Sequence, residues 1–355
     1  MVMIGMKYSF IVPVFNRPDE VDELLESLTR QRLKDSEVVV VEDGSEVRCE
    51  DVVERYREQL NVRYFEKPNS GPGQSRNYGA ERARGEYLIV LDSDVVLPEG
   101  YLEAVDKELR EEHCEAFGGP DRAHESFTSV QKAINYSMTS FFTTGGIRGG
   151  KKKLDKFYPR SFNMGIRADL YRQLGGFSDM RFGEDIDFSI RIFKSGARCR
   201  LFPEAWVWHK RRTDFRKFFR QVHNSGIARI NLYKRYPESL KLVHLLPAAF
   251  TVGVLGLLLL FLLGLLLFFF GPDHMNQSAG FALCELALLP IVLYCLIIFS
   301  DSSVRNRSLW VGLLSVPASF IQLIGYGSGF LRAWWLRCVC GRNEELQAFK
   351  KTFYK

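Results

Sequence analysis

Apolar and polar positions alternate along residues 7–120 with two different periods. Short apolar runs that read as strands are YSFIVPVF, SEVVVVEDGS, NVRYFEK and EYLIVLDSD. Segments with apolar residues at helical spacing lie between and after them: PDEVDELLESLTRQ, EDVVERYREQL, GPGQSRNYGAERAR and PEGYLEAVDKELREE. Strands that alternate with helices predict an α/β domain with a mostly parallel, doubly wound sheet. Ligands of such sheets bind at the carboxyl ends of the strands.

The C-terminal third of the chain has a different pattern, because its apolar residues form long runs. Residues 245–270 carry no charge, and residues 280–299 carry only Glu285. Both runs reach or exceed the roughly 20 residues that cross a bilayer as a helix. A third run, 309–335, contains Pro317 and Gln322, so it fits a straight span or a bent, re-entrant segment.

Residues 215–240 alternate basic and aromatic side chains just before the first apolar run. This pattern predicts a helix lying on an anionic membrane surface, and the adjacent membrane segment argues against a nucleic-acid site. We therefore expect three parts: a catalytic domain at 1–214, an interfacial helix at 215–240 and a membrane domain at 241–355 with a basic tail.

Charge and cysteine placement bear on location. The chain of 355 residues has a net charge of +6 and seven cysteines without zinc-like spacing in the N-terminal part. The N-terminus does not read as a signal peptide, which predicts that the catalytic domain stays in the cytoplasm. Together with the apolar runs, this predicts a multi-pass protein of the cell membrane. The basic tail also favours the cytosol, whereas three full spans would place it outside. The sequence leaves that choice open.

Asp92 and Asp94 follow the strand-like run EYLIVL and are separated by one serine. Side chains alternate along a strand, so both carboxylates point to the same side and repel each other. A divalent cation relieves this repulsion, and oxygen ligands suit Mg²⁺ or Mn²⁺. The alternative is that the two acids only cap the helix that begins near Pro98.

Four segments in fixed order resemble the family 2 glycosyltransferases, which have the GT-A nucleotide-sugar-binding fold. They are VPVFNRP, VVVEDGS, GPGQSRNYGAERARGEYLIVLDSDVVLP and FGEDIDFSIRIFKSG. The resemblance covers about residues 7–215. It implies that a sugar is transferred from a nucleotide sugar with inversion at the anomeric carbon. Membrane-anchored members often build polysaccharide units or glycosylate lipid carriers.

The resemblance also implies roles for residues at the strand ends. Asp94 would contact the metal. Asp92 would lie nearer the ribose, or beside the residues that bind the metal without binding it directly. Asp43 would contact the base or ribose, although it equally fits a turn before Gly44. Pro13 and Asn16 would line the base pocket.

Three further positions complete the expected site. The family uses the arginine at position 76 against the nucleotide, and a helix N-terminus there favours an anion; a plain surface arginine is the alternative. Several GT-A enzymes use a histidine near position 209 as another metal ligand, but His209 lies beside two tryptophans and also fits a structural role. The following Lys210, Arg211 and Arg212 fit the neutralisation of diphosphate charge.

The acidic pair Glu184 and Asp185 begins a predicted helix, where acids favour the helix dipole. The resemblance implies more, because the family assigns the aspartate of this pair as the base that takes a proton from the acceptor hydroxyl. We therefore expect Asp185 to be the catalytic base and Glu184 a supporting contact.

These expectations combine into an inverting, metal-dependent glycosyltransferase with a lipid-linked or membrane-proximal acceptor. UDP is preferred over GDP as the donor nucleotide on family frequency alone. A processive polysaccharide synthase is an alternative, but the chain lacks a QxxRW sequence. A non-catalytic nucleotide-sugar-binding subunit is another, and it predicts the loss of site acids, all of which are present.

Overall fold

The computed structural model describes residues 6–33, 35–122, 127–145, 158–210 and 213–346. Its described residues form two compact units. The sheet unit contains 6–122 and 158–210, and the helical unit contains 127–145 and 213–346. The segment 127–145 therefore groups with the helical unit, although it precedes the boundary near residue 214 that is expected from the sequence.

The strands in chain order are β1 Tyr8–Val14, β2 Ser36–Asp43, β3 Val62–Lys67, β4 Tyr87–Leu91, β5 Val95–Val96, β6 Ala116–Gly118, β7 Asp121–Arg122, β8 Asn163–Arg167, β9 Cys199–Leu201 and β10 Val207–His209. The helices are α1 Pro18–Thr29, α2 Glu50–Glu54, α3 Pro72–Arg82, α4 Tyr101–Glu111, α5 Ser129–Thr139, α6 Phe141–Thr144, α7 Ala168–Gln173, α8 Glu184–Lys194, α9 Phe215–Arg235, α10 Leu246–Phe270, α11 His274–Asn306 and α12 Leu309–Trp334.

The main sheet has seven strands in the order β3-β2-β1-β4-β8-β6-β9. β1 runs parallel to β2 and β4, and β2 runs parallel to β3. Only β8 is antiparallel to its neighbours β4 and β6. Val38–Val41 of β2 are buried, because hydrophobic clusters cover both faces of the sheet. The predicted α/β class with a mostly parallel sheet is confirmed.

A second sheet has three strands in the order β5-β10-β7. Its strand β5 directly follows Asp94 in sequence. His209 of β10 pairs with Val95 of β5. The next residue continues this contact, since the Lys210 amide donates to the Asp94 carbonyl at 3.1 Å. The small sheet therefore fixes His209 beside a segment that is more than 100 residues away in sequence.

The helical unit contains three helices long and apolar enough to cross a membrane: Leu242–Phe270, His274–Asn306 and Leu309–Val339. The third is one continuous helical stretch despite Pro317. Protein buries 39% of its most apolar stretch, compared with 6% and 11% for the first two. This third helix therefore forms the centre of the helical unit, and its lower mean hydropathy of 1.5 agrees with its greater contact with protein.

Helix α9 packs its apolar face against protein. Phe218 and Val222 cluster with residues of α5, and Ile230 clusters with Phe330 of α12. Backbones approach closely at Gly226, where a Cβ atom would lie 2.1 Å from the carbonyl oxygen of Tyr326. Most of this apolar face is covered by neighbouring helices, and the expectation that α9 lies on a membrane surface stays a prediction. The end of the predicted basic tail, 347–355, lies outside the described residues.

Candidate active site

The two acids after β4 lie at the carboxyl end of the central parallel strands. Asp92 and Asp94 follow Leu91, the last residue of β4. The Asp92 side chain is 31% exposed and that of Asp94 is 13% exposed. One carboxylate is thus accessible to a bound molecule while the other lies deeper in the protein.

His209 completes a cluster with these acids. Its Nε2 atom lies 3.3 Å from Oδ1 of Asp94, and its ring stacks on Phe162 with centroids 4.8 Å apart. One ligand atom from each of Asp92, Asp94 and His209 lies within 4.8 Å of the others. Two carboxylates and an imidazole at this spacing fit a divalent cation such as Mn²⁺ or Mg²⁺.

Arg76 bridges the two acidic parts of the site. It lies on α3 with a side chain only 4% exposed. Its Nη2 atom donates to Asp92 at 2.7 Å, and its Nη1 atom donates to Glu184 at 2.9 Å. The resemblance implied that this arginine contacts the nucleotide. In the structure its terminal nitrogens donate hydrogen bonds to two carboxylates, so it connects the end of β4 with the start of α8. The contact with the nucleotide stays a prediction.

Burial shapes the ionisation of this bridge. Loss of water raises the pKa of the Glu184 carboxyl to about 7, and the charge of Asp185 adds to this, while Arg76 opposes it. Burial also lowers the pKa of Arg76, but the carboxylates of Asp92 and Glu184 outweigh that effect and raise it above its ordinary value. Arg76 therefore stays charged and Glu184 is the group that titrates near neutral pH.

Asp185 follows Glu184 in the first turn of α8. The helix begins after Gly183, which has a left-handed backbone with φ of 83°. The Ile186 amide donates to Oδ1 of Asp185 at 2.8 Å, and Nε of Arg160 lies 3.0 Å from Oδ2. The side chain of Asp185 is 14% exposed. Arg160 was not found by sequence reasoning, because the turn before β8 contains no motif that marks it.

Asp43 ends β2 and has a buried carboxylate. It accepts hydrogen bonds from Nζ of Lys67 at 2.5 Å and from the amides of Ser70 and Gly71, both at 2.9 Å. These donors belong to the segment that leads into α3. Asp43 therefore braces the loop before Arg76, in addition to any contact with a ligand.

Pro13 and Asn16 lie at the end of β1. Pro13 is buried in the strand opposite Val41. Asn16 has a positive φ of 55°, and its side-chain oxygen accepts from the amides of Glu46 and Val47 at 2.8 and 3.0 Å. Asparagine tolerates this backbone better than most residues. It thereby ties the loop after β1 to the loop after β2.

The structure thus brings five of the expected residues into direct contact or adjacency: Asp92, Asp94, His209, Arg76 and Glu184, with Asp185 next in sequence. Pro13, Asn16 and Asp43 lie on the neighbouring strands β1 and β2. Sequence reasoning missed Lys67, Arg160 and also Arg17, whose Nη1 atom lies 3.8 Å from Asp94. Arg17 stands within the VPVFNRP motif, so its position offered a signal. Arg211 and Arg212 lie outside the described residues.

Comparison with known proteins gives a match to one family model. The model "Glycosyl transferase family 2" matches residues 9–175. Over 93 residues the chain is 41% identical to the poly(ribitol-phosphate) beta-N-acetylglucosaminyltransferase TarS of Staphylococcus aureus, which is 25% of this chain and 16% of TarS. Over 205 residues it is 25% identical to the uncharacterized glycosyltransferase EpsJ of Bacillus subtilis, which is 55% of this chain and 58% of EpsJ. The chain therefore spans less than two thirds of these relatives.

A solved structure shares the fold over most of the chain. The mannosyltransferase PcManGT of Pyrobaculum calidifontis, in complex with GDP-Man and Mn²⁺, superposes with a TM-score of 0.54 at 16% identity. The match covers 93% of this chain and 88% of that protein. At this identity the likeness establishes a common fold.

Proposed function

Because residues 9–175 form a family 2 glycosyltransferase domain with a GT-A sheet, we propose that this protein transfers a sugar from a nucleotide sugar with inversion. The acceptor is lipid-linked or membrane-proximal, and a divalent cation assists. The glycosyltransferase class follows from the family. The stereochemistry, the metal and the acceptor are the parts that we add.

The observation that carries the proposal is the cluster of Asp92, Asp94 and His209 at the end of β4. Three ligands of this kind would hold Mn²⁺ or Mg²⁺, which supplies positive charge for a departing diphosphate. We assign Asp94 and His209 as the deeper ligands, since Asp92 also accepts from Arg76. Asp92 is the most exposed of the three and is left to face the donor.

We assign Asp185 as the general base. In the proposed step the oxygen of an acceptor hydroxyl forms a bond to the anomeric carbon of the donor sugar. The bond between that carbon and the diphosphate breaks, and its electron pair leaves with the nucleoside diphosphate. The hydroxyl proton passes to Asp185, which requires a carboxylate on the side opposite the leaving group. Glu184 supports this geometry through its bond to Arg76.

The donor nucleotide is proposed from the relatives. The name of TarS describes the transfer of N-acetylglucosamine, and PcManGT was solved with GDP-Man and Mn²⁺. We keep UDP as the first choice and GDP as the second. Asp43, Pro13 and Asn16 would position the base and ribose, since they end the strands β1 and β2 next to β4.

The membrane assignment rests on the three long apolar helices. A multi-pass protein of the cell membrane, with its sheet unit in the cytoplasm, would meet nucleotide sugars on the side where cells make them. Such a position favours an acceptor attached to a lipid or held at the membrane surface.

The proposal is tested by calorimetry of the purified full-length protein in detergent, with UDP and GDP, each with and without Mn²⁺. We expect metal-dependent binding of one nucleotide, and Asp94→Asn should remove the metal dependence. Asp185→Asn should keep the binding but lower sugar transfer about 100-fold or more, as expected for a lost general base. Binding that is the same with and without Mn²⁺ would contradict the metal assignment. Full transfer by Asp185→Asn would contradict the base assignment.

A further inference from the structure

The carboxylate proposed as the base already has a cationic partner. Nε of Arg160 lies 3.0 Å from Oδ2 of Asp185, while the Ile186 amide donates to Oδ1. Both oxygens of the acid are therefore engaged by protein donors. An acceptor hydroxyl that must hydrogen-bond to this carboxylate therefore meets oxygens that already accept from protein groups. The pair in this arrangement works against the step that Asp185 is proposed to perform.

The position of Arg160 is built into the fold. The carbonyl of Pro159 accepts from the buried hydroxyl of Ser189 at 2.7 Å, and Ser189 lies on α8, the helix that carries Asp185. The carbonyl of Arg160 accepts from the amide of Asn163 at 3.0 Å, at the start of β8. The backbone at 159–160 is thus held against α8, and the ion pair follows from that attachment.

The guanidinium itself can leave its partner. The Arg160 side chain is 33% exposed, whereas that of Asp185 is 14% exposed. Water therefore reaches the arginine more easily than the acid. A long side chain at a fixed backbone position can turn to a new anion without moving the helix. What it needs is a negative group that replaces the bond to Asp185.

We propose that Arg160 holds Asp185 in this ion pair until an acceptor carrying a phosphate-type oxyanion draws the guanidinium away, which frees the base. This inference rests on the proposed function and adds the chemical class of the acceptor. A planar guanidinium binds phosphate oxygens in pairs, so the exchange of partners preserves its hydrogen bonds. A neutral acceptor offers no such exchange. The phosphate belongs to a lipid headgroup or to a water-soluble molecule.

The test measures release of nucleoside diphosphate by the purified full-length protein with Mn²⁺ and a panel of UDP- and GDP-sugars. Without additions water is the acceptor, and dodecyl phosphate, inorganic phosphate or dodecanol is then added in separate reactions. Free sugar is measured beside the nucleoside diphosphate, so that hydrolysis is counted apart from transfer to the additive. In the wild type we expect dodecyl phosphate to raise release about tenfold, the scale of one charged hydrogen bond. Dodecanol should have no effect. A response to inorganic phosphate as well supports a soluble source, and a response to dodecyl phosphate alone supports a lipid headgroup.

Variants distinguish an Arg160 that blocks Asp185 until phosphate binds from an Arg160 that only stabilises the fold. Arg160→Gln should release diphosphate about tenfold faster than the wild type without any addition, and should no longer respond to phosphate. Arg160→Lys should keep the response, because it retains the charge. Arg167→Gln is the matched control, since Arg167 is 34% exposed and pairs with Asp169; it should behave as the wild type does. Asp185→Asn should abolish the stimulation.

Two results overturn the inference: equal stimulation by dodecanol and dodecyl phosphate, or an Arg160→Gln variant with the basal rate and response of the wild type. A wild type that turns over none of the sugars would count against the proposed function instead. Calorimetry with dodecyl phosphate then still tests Arg160. The inference requires about tenfold weaker binding in Arg160→Gln than in both the wild type and Arg167→Gln, and equal binding refutes it.

Discussion

Replacing Arg76 by alanine tests the bridge between the end of β4 and the start of α8. The substitution removes two hydrogen bonds, at 2.7 Å to Asp92 and 2.9 Å to Glu184. Among the described residues, Arg76 is the one cation that the structure shows paired with Asp92 and with Glu184. The substitution therefore leaves both carboxylates without a cationic partner. The side chain of Glu184 is 10% exposed, so water cannot easily replace the arginine there.

The expected cost follows from these exposures. A hydrogen bond to a charged group contributes about 1.5–3 kcal/mol, and breaking a buried ion pair from one side costs about 3–5 kcal/mol. Asp92 is 31% exposed, so solvent screens much of its share. Most of the cost therefore comes from Glu184, and we expect Arg76→Ala to lower the free energy of opening of this region by about 3 kcal/mol. At about 1.4 kcal/mol per factor of ten, the opening equilibrium changes by about 100-fold.

Hydrogen exchange of the full-length protein in detergent measures this change, followed on peptides from β4 and α8. Arg76→Ala should exchange about 100-fold faster in both. Above pH 7, where Glu184 is charged in the wild type, the double variant Arg76→Ala, Glu184→Gln should recover about 1–2 kcal/mol, because it no longer buries a carboxyl that has lost its cation. Arg82→Ala on the same helix is the control, with an expected cost below about 1 kcal/mol. Exchange in Arg76→Ala within about threefold of the wild type would refute the reasoning, and so would a double variant as unstable as the single one.

Three other perturbations have expected outcomes. The raised pKa of Glu184 means that the folded protein holds this proton more tightly than the unfolded chain. The stability that Glu184 contributes is therefore complete below its ordinary pKa of 4.5 and is lost as the pH rises towards 7. Over that range the wild type should lose stability relative to Glu184→Gln, as measured by hydrogen exchange. Asp43→Asn should loosen the segment 67–71 by about 2–3 kcal/mol in the same measurement, and unchanged exchange there would contradict the bracing role. Gly226→Ala should lower the thermal stability of the helical unit, because its new Cβ would lie 2.1 Å from a carbonyl oxygen, whereas Gly253→Ala has open space and should be neutral.

The order of elements in the sheet unit could be predicted because each strand and helix there has its own local period. The buried valines of β2 and the acids after β4 lie where parallel strands place them. The gathering of strand-end residues followed from topology alone, since neighbouring parallel strands end at the same edge.

The partners of individual side chains could not be predicted in this way. Arg76 contacts Glu184, which is 108 residues away in sequence. Arg160 contacts Asp185 because of the course of the turn before β8, and no sequence motif marks that turn. The protein partners of α9 could not be predicted for a related reason. An apolar stripe shows that a surface is buried, but lipid and protein give the same pattern in sequence.

Helix α5 belongs to the helical unit although it precedes the last strands of the sheet unit in sequence. This order has a consequence for folding during synthesis. Ile134 and Met138 of α5 cluster with α9, and its Ala133 clusters with Val311 and Ala318 of α12. About 195 residues separate the end of α5 from the end of α12. At about 5–20 residues per second the ribosome needs roughly 10–40 s to supply them. During that interval α5 lacks its main partner, and a chain truncated before residue 309 never gains it. A soluble form of the catalytic part would therefore need α5 shortened or its apolar face made polar.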